Sequence, residues 1–245
     1  MKKENISAIV LAGGSGKRMG TNIPKQYLPV DGYPVLYYSL EAFENCPLVD
    51  EIILVVGKGE TGYCAEHMVK PWNMRKVSCV VEGGKERYHS VHEGLKAIEG
   101  ADYVLIHDGA RPLLTEKIIR DSVDGVRRFG ACVAAMPVKD TIKVADAEGF
   151  AAETPDRSTL WLTQTPQSFS YALIREAYDM LAQLEAEGGE SWEELHITDD
   201  AMVAETFLKT RVKLISGDYS NIKITTPEDM IVAETLLKSR KNGNN

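Results

Sequence analysis

The chain has no uninterrupted run of about 18 apolar residues, so no segment reads as a membrane-spanning helix. It is poor in cysteine: Cys46, Cys64, Cys79 and Cys132 lie far apart, with no Cys-x-x-Cys pair and no histidine at zinc-finger spacing. A disulfide framework and a structural zinc site are thereby excluded, and the four read as reduced core or near-core residues. Basic residues are outnumbered by acidic ones, 28 to 36, and the net charge of −8 argues against a broad nucleic-acid surface. No internal repeat or low-complexity tract is present. The first residues pass from a short charged lead into an apolar strand without the apolar stretch and cleavage site of a secretory signal, and the expected location is the cytoplasm.

Two common phosphate-binding patterns are missing as well. The P-loop needs glycine where this chain has Leu11 and Ser or Thr where it has Arg18; the dinucleotide fingerprint needs glycine where it has Met19. What stands there instead is a short apolar strand, Ile6 to Leu11, stopped by Gly13-Gly14-Ser15-Gly16 and followed by Lys17, Arg18 and, after a polar turn, Lys25. Glycines let backbone N–H groups approach a bulky anion, and the cations balance its charge. The alternative is a plain glycine turn carrying solvated basic residues. The combination of strand, glycines, Arg18 and Lys25 fits a nucleoside triphosphate better, as a local site in an acidic protein.

The rest of the chain alternates strands and helices. Strands are expected at 51–56, 77–81, 103–106, 131–136 and 212–215, and helices at 34–45, 63–69, 115–129 and 171–184, the rhythm of a parallel sheet with helices on both faces. A second glycine turn, Gly83-Gly84, ends the third strand and leads into a helix carrying Ser90, placed to bond a base or ribose. His89 and His92 on that helix have no third ligand nearby and read as surface histidines. Asp108 falls at the tip of the fourth strand, where open α/β sheets bind ligands. There it can accept ribose or substrate hydroxyls or approach a bound Mg²⁺; the structural alternatives are a helix cap or a pair with Arg111.

Residues 139–154 change texture, alternating polar and apolar around a turn at 147–149, which predicts a hairpin arm at about 139–160 that packs on a second subunit. The acidic stretch 185–194 predicts a mobile surface loop, and residues 196–201 predict a capped helix start with Thr198 or Asp199 as N-cap, which explains Asp199 and Asp200 more simply than metal ligation. Residues 221–224 predict a short strand with Lys223 facing away from its β-branched neighbours, toward a substrate phosphate. Thr226 and Pro227 then begin a final helix, ahead of a frayed tail at 241–245. A single domain over 1–240 is expected.

In order along nearly the whole chain, Ala12 to Gly20, Pro24-Lys25-Gln26-Tyr27, Gly83 to Arg87 with Ser90-Val91, His107 to Pro112, Asp140 to Lys143, Thr165-Pro166-Gln167, Thr198 to Ala201 and Asn221 to Thr225 together resemble the 2-C-methyl-D-erythritol 4-phosphate cytidylyltransferase family. The resemblance implies a doubly wound, mostly parallel, Rossmann-like nucleotidyltransferase sheet with a protruding β-hairpin arm. It implies transfer of CMP from CTP, with Mg²⁺ or another divalent cation, to the phosphate of methylerythritol phosphate, releasing pyrophosphate in the non-mevalonate route to isoprenoids. Carried over, Arg18 and Lys25 would stabilise the transition state, and Lys223 and a partner subunit's Arg157 would hold the attacking phosphate. Ala12, Gly13, Gly14 and Gly16 would line the nucleotide, and Gly84 and Ser90 would read cytosine. Asp108 and Ala110 would sit by the ribose and metal, and Thr141 and Thr165 would seat the sugar phosphate. No residue is assigned as a direct metal ligand.

The chain departs from the family at Gly13 and Gly109, where alanine is common. Gly13 is shared with enzymes acting on ribitol 5-phosphate, which makes that sugar phosphate the alternative acceptor. Ala110 before Arg111, the 157–161 segment and Thr198 to Ala201 favour the erythritol acceptor. A nucleotide-binding module without catalysis is the alternative of another class, against which stand Arg18, Lys25, Arg157 and Lys223 together.

Overall fold

The computed structural model describes residues 3–14, 23–188 and 195–243. Gly16 and Arg18 lie outside the described residues, as does most of the loop expected at 185–194. In chain order the elements are β1 (Ile6–Ala12), β2 (Pro29–Val30), β3 (Tyr33–Pro34), α1 (Val35–Asn45), β4 (Glu51–Val56), α2 (Thr61–Cys64), β5 (Val77–Glu82), α3 (Arg87–Ala97) and β6 (Tyr103–Asp108). There follow α4 (Glu116–Phe129), β7 (Ala131–Pro137), β8 (Val144–Ala145), β9 (Ala151–Glu153), β10 (Trp161–Ser170), α5 (Tyr171–Glu187), α6 (Asp200–Leu208), β11 (Lys213–Ser216) and α7 (Pro227–Gly243).

Seven strands form one sheet in the order β11-β7-β10-β6-β1-β4-β5. All neighbours run parallel except β10, which is antiparallel to both β6 and β7. The sheet is therefore α/β and mostly parallel, as expected. Its strands are nearly all apolar because both faces are covered. Along β1 the faces alternate: Ile6, Ala8 and Val10 pack with Leu36, Leu40 and Phe43 of α1 and Ile119 and Val123 of α4. Ile9 points the other way, among Val91 and Leu95 of α3, Phe169 of β10, and Tyr178 of α5. A third cluster joins Val35 and Tyr38 of α1 to Ile224, Ala233 and Leu237, and so seats α7 and the loop before it against α1.

The hairpin expected in the arm is present as β8 and β9, paired Val144 with Glu153 and Ala145 with Ala151. Two local expectations need correction. Residues 221–224 are an irregular loop and not a strand; Asn221 anchors it by donating from its side chain to the Thr165 carbonyl, 2.9 Å, and the Ile224 N–H donates to the Ala110 carbonyl, 2.9 Å. The final helix is described through Gly243, with Leu237 and Ala233 burying one side of it and Lys241 paired with Asp31, 2.6 Å. Asp199 caps α6 as expected, accepting from the Met202 N–H at 2.9 Å, whereas Asp200 is fully buried and serves a different contact, described below.

Candidate active site

Parallel strands deliver their carboxyl ends to one edge, and the loops that leave β1, β5 and β6 enclose a cleft of about 360 Å³ there. Ala12 ends β1 and Gly13 and Gly14 follow it, and Gly84 and Ser90 come from the β5–α3 junction. Asp108 ends β6 and Ala110 lies just beyond it, while Lys25 and Lys223 come from the turn after the first loop and from the loop before α7. Nine candidate residues from five segments thus meet in one place. The glycines are required by space: a Cβ on Gly83 would stand 2.4 Å from the Ser90 hydroxyl oxygen, and one on Gly84 2.3 Å from the His89 Cβ. The tight turn brings the start of α3 against the strand tip.

Asp108 is the electrostatic centre. Its side chain is buried, with Arg87 Nε 3.2 Å from Oδ1, Lys223 Nζ 2.9 Å from Oδ2 and Arg111 Nε 3.7 Å from Oδ2. Burial alone would raise its pKa, but Arg87, Lys223 and Arg111 outweigh it and hold the carboxyl well below the ordinary range. The pair with Arg111 considered from sequence is real, and two further cations share it. Beneath, Thr165 accepts the Asp108 N–H at 3.1 Å. His107 Nε2 faces the Arg111 carbonyl, which can only accept, so Nε2 carries the proton and Nδ1 accepts from the Thr165 hydroxyl at 2.9 Å. Burial pushes the His107 pKa down to about 3, and the ring is neutral.

The cations on the two sides of the cleft are linked. Lys25 Nζ donates to the carbonyl of Ile224, 2.6 Å, the residue after Lys223. Gln26, almost fully buried, donates to the Ala12 carbonyl at 2.5 Å and ties the Lys25 turn to the end of β1. Arg111 donates to the Asn221 carbonyl at 2.8 Å, fixing the Lys223 loop to the tip of β6.

The remaining candidates lie elsewhere. Thr165 is buried in the floor, and its hydroxyl is engaged by Asp108 and His107. Thr141 and Arg157 are exposed on the arm, away from this chain's own cleft; Arg157 donates to the Lys139 carbonyl at 2.8 Å. Sequence reasoning gave no role to Gln26, Lys85, Glu86 or Arg87, all of which line the cleft. Arg87 carried a signal: a cation on the first residue of a helix opposes the macrodipole and calls for a specific partner.

The histidines are structural. His89 accepts the Glu86 N–H at 3.0 Å in a capping box and faces Glu185 at 2.8 Å, while His92 faces Asp179 at 2.8 Å. Both are half-buried, less open than the surface placement expected. Among the described residues no group of three His, Cys, Asp or Glu side chains could hold a metal ion, and no helix is long and apolar enough to cross a membrane. None of the four cysteines is paired, and three are buried.

A family model described as IspD, 2-C-methyl-D-erythritol 4-phosphate cytidylyltransferase, matches residues 6–239. Proteins of that name from Lachnoclostridium phytofermentans and Lachnospira eligens are 48% and 51% identical, covering 98% and 95% of this chain and 99% of each relative. The crystal structure of 4-diphosphocytidyl-2C-methyl-D-erythritol synthase from Anaerococcus prevotii superposes with a TM-score of 0.81 at 34% identity, over 96% of this chain and 97% of that one.

Proposed function

Since the chain belongs to the 2-C-methyl-D-erythritol 4-phosphate cytidylyltransferase family, we propose that it transfers CMP from CTP to that sugar phosphate, giving 4-diphosphocytidyl-2-C-methyl-D-erythritol and pyrophosphate in non-mevalonate isoprenoid synthesis. The observation that carries this reading is the meeting of Lys25, Lys223 and Asp108 with the two glycine turns in one cleft.

The substrate's phosphate is the nucleophile. It is anionic at neutral pH, so no general base is needed; the work is alignment and neutralisation of charge at the α-phosphorus. One phosphate oxygen attacks that phosphorus as the bond to the pyrophosphate oxygen breaks, and the leaving group departs with the bonding pair. Gly13 and Gly14 offer backbone to the triphosphate, and Gly84 and Ser90 face the base. Lys25, together with Arg18, meets charge growing on the α-phosphate. Lys223 grips the attacking phosphate. Asp108 orients Lys223 and presents acceptors to substrate hydroxyls. Thr165 acts from below, by fixing the Asp108 backbone.

A divalent cation suits this cleft as a companion of the triphosphate. Both Asp108 oxygens already face cations, and no carboxylate cage exists among the described residues. Such an ion would be held by phosphate oxygens and water, as Mg²⁺ often is, with the Gly13-Gly14 turn holding the phosphates that carry it. When bound it supplies charge neutralisation. The direct protein contribution remains with the lysines and Arg18.

The arm is proposed to complete the site in a homodimer. Phe150 is 68% and Val144 44% exposed on it, apolar surface that a second subunit would cover. Arg157 at its base would then reach the partner's cleft, with Thr141. A monomeric mass at working concentration would remove this assembly. Residues 1–240 would form one catalytic domain acting in the cytoplasm. The reaction itself is tested by ³¹P spectra of protein, CTP, Mg²⁺ and methylerythritol phosphate. Two new diphosphate resonances with free pyrophosphate are expected, and unchanged CTP would refute the assignment.

A further inference from the structure

Arg87 opens α3, where the positive end of the helix dipole disfavours a cation. It is held there by two carboxylates from distant segments. Nη1 and Nη2 donate in parallel to Asp200 Oδ1 and Oδ2, at 2.8 and 2.9 Å, and Nε donates to Asp108 Oδ1 at 3.2 Å. Asp200 is itself fixed. It is fully buried, accepts from the Tyr178 hydroxyl at 2.6 Å, and its own N–H and that of Ala201 both donate to Gln167 Oε1, at 3.0 and 2.9 Å. The fork of Arg87 is therefore set by α6, α5 and β10 before any substrate enters. With Oδ1 of Asp108 occupied, Oδ2 is the oxygen that meets Lys223 at 2.9 Å.

We infer that Arg87 is a positioning residue for the acceptor half of the reaction: held by Asp200, it fixes the Asp108 carboxylate so that its second oxygen seats Lys223 for the attacking phosphate. The inference rests on the reading of Lys223 as the acceptor's cation. A lysine at position 87 could not replace the fork, because one ammonium cannot make a parallel pair to Asp200 and still reach Asp108. The competing explanation is neutralisation of the buried Asp200 charge alone.

The two separate in a set of variants: Arg87→Lys, Arg87→Met, and Arg87→Met combined with Asp200→Asn. The double variant leaves no uncompensated buried charge at 200 and keeps an acceptor for Tyr178, so it should recover the thermal stability lost in Arg87→Met. Turnover would be measured for each with CTP and methylerythritol phosphate varied in turn. Arg87→Lys and the double variant should each lose about 10²-fold in kcat/KM for the sugar phosphate, the size of a misplacement near 1 Å, while KM for CTP stays within about threefold. Wild-type acceptor kinetics in the refolded double variant would overturn the inference and leave Arg87 a structural counter-ion. A rise of KM for CTP matching that for the acceptor would overturn it too. Failure of the wild type to turn over the sugar phosphate would instead strike the functional reading.

Discussion

Replacement of Lys25 by alanine separates stability from catalysis. The ammonium donates to the Ile224 carbonyl at 2.6 Å in a half-buried position, a charged hydrogen bond worth about 1.5 kcal/mol at the lower end of its range. For a chain of this size about 1 kcal/mol shifts Tm by about 2–4 °C, so the variant should melt about 3–6 °C lower. That loss leaves nearly every molecule folded at 25 °C, since domains typically hold about 5–15 kcal/mol. The catalytic loss should be far larger. Removing one preorganised donor to a developing negative charge costs about 10²- to 10³-fold in kcat. Steady-state pyrophosphate release at saturating CTP, beside thermal melting of the same preparation, measures both effects. Turnover within about fivefold of wild type would refute the role given to Lys25, whatever the melting curve shows.

Two further predictions concern the glycine turns and the buried histidine. Gly13→Ala should leave activity within about twofold, because the new Cβ meets the Val56 carbonyl group at 3.4 Å and the Gly57 nitrogen at 3.6 Å, ordinary contacts; Gly83→Ala should cost about 1–3 kcal/mol in stability and raise KM for CTP, because its Cβ lands 2.4 Å from the Ser90 hydroxyl and 3.3 Å from Val55. Melting and CTP kinetics of the pair check this. His107 has a folded pKa near 3 against an ordinary 6.5, so the unfolded chain binds the extra proton between those values. Its contribution is fully present above pH 6.5 and is lost as pH falls toward 3, at up to about 1.4 kcal/mol per pH unit. Denaturant titrations of wild type and His107→Gln should differ in that window by about one proton, and parallel curves would contradict the assignment of a buried neutral ring.

Local pattern made much of this molecule legible. Apolar runs closed by glycine located β1, β4 and β6, because strands covered on both faces carry little else. The tip of β6 picked out Asp108, since a parallel sheet brings ligands to that edge. Long-range pairing was not legible. Arg87 and Asp200 are 113 residues apart, and nothing near Asp200 in the chain distinguishes a helix cap from a buried counter-ion. Residues 221–224 have strand-like composition but lie over the tip of β6, where the Arg111 and Lys25 side chains take the Asn221 and Ile224 carbonyls and the Ile224 N–H donates to the Ala110 carbonyl, in place of a ladder. The arm's hairpin was visible from its alternation, while the proposed destination of Arg157, a partner's cleft, is not something one chain's pattern reveals.

Pyrophosphate release by the purified protein with Mg²⁺ and CTP, offered methylerythritol phosphate and ribitol 5-phosphate in separate reactions, decides both the chemistry and its acceptor. Release with methylerythritol phosphate alone is the predicted result. Release with ribitol phosphate alone would contradict the acceptor while keeping the cytidylyl chemistry, and release with neither would contradict catalysis by this cleft.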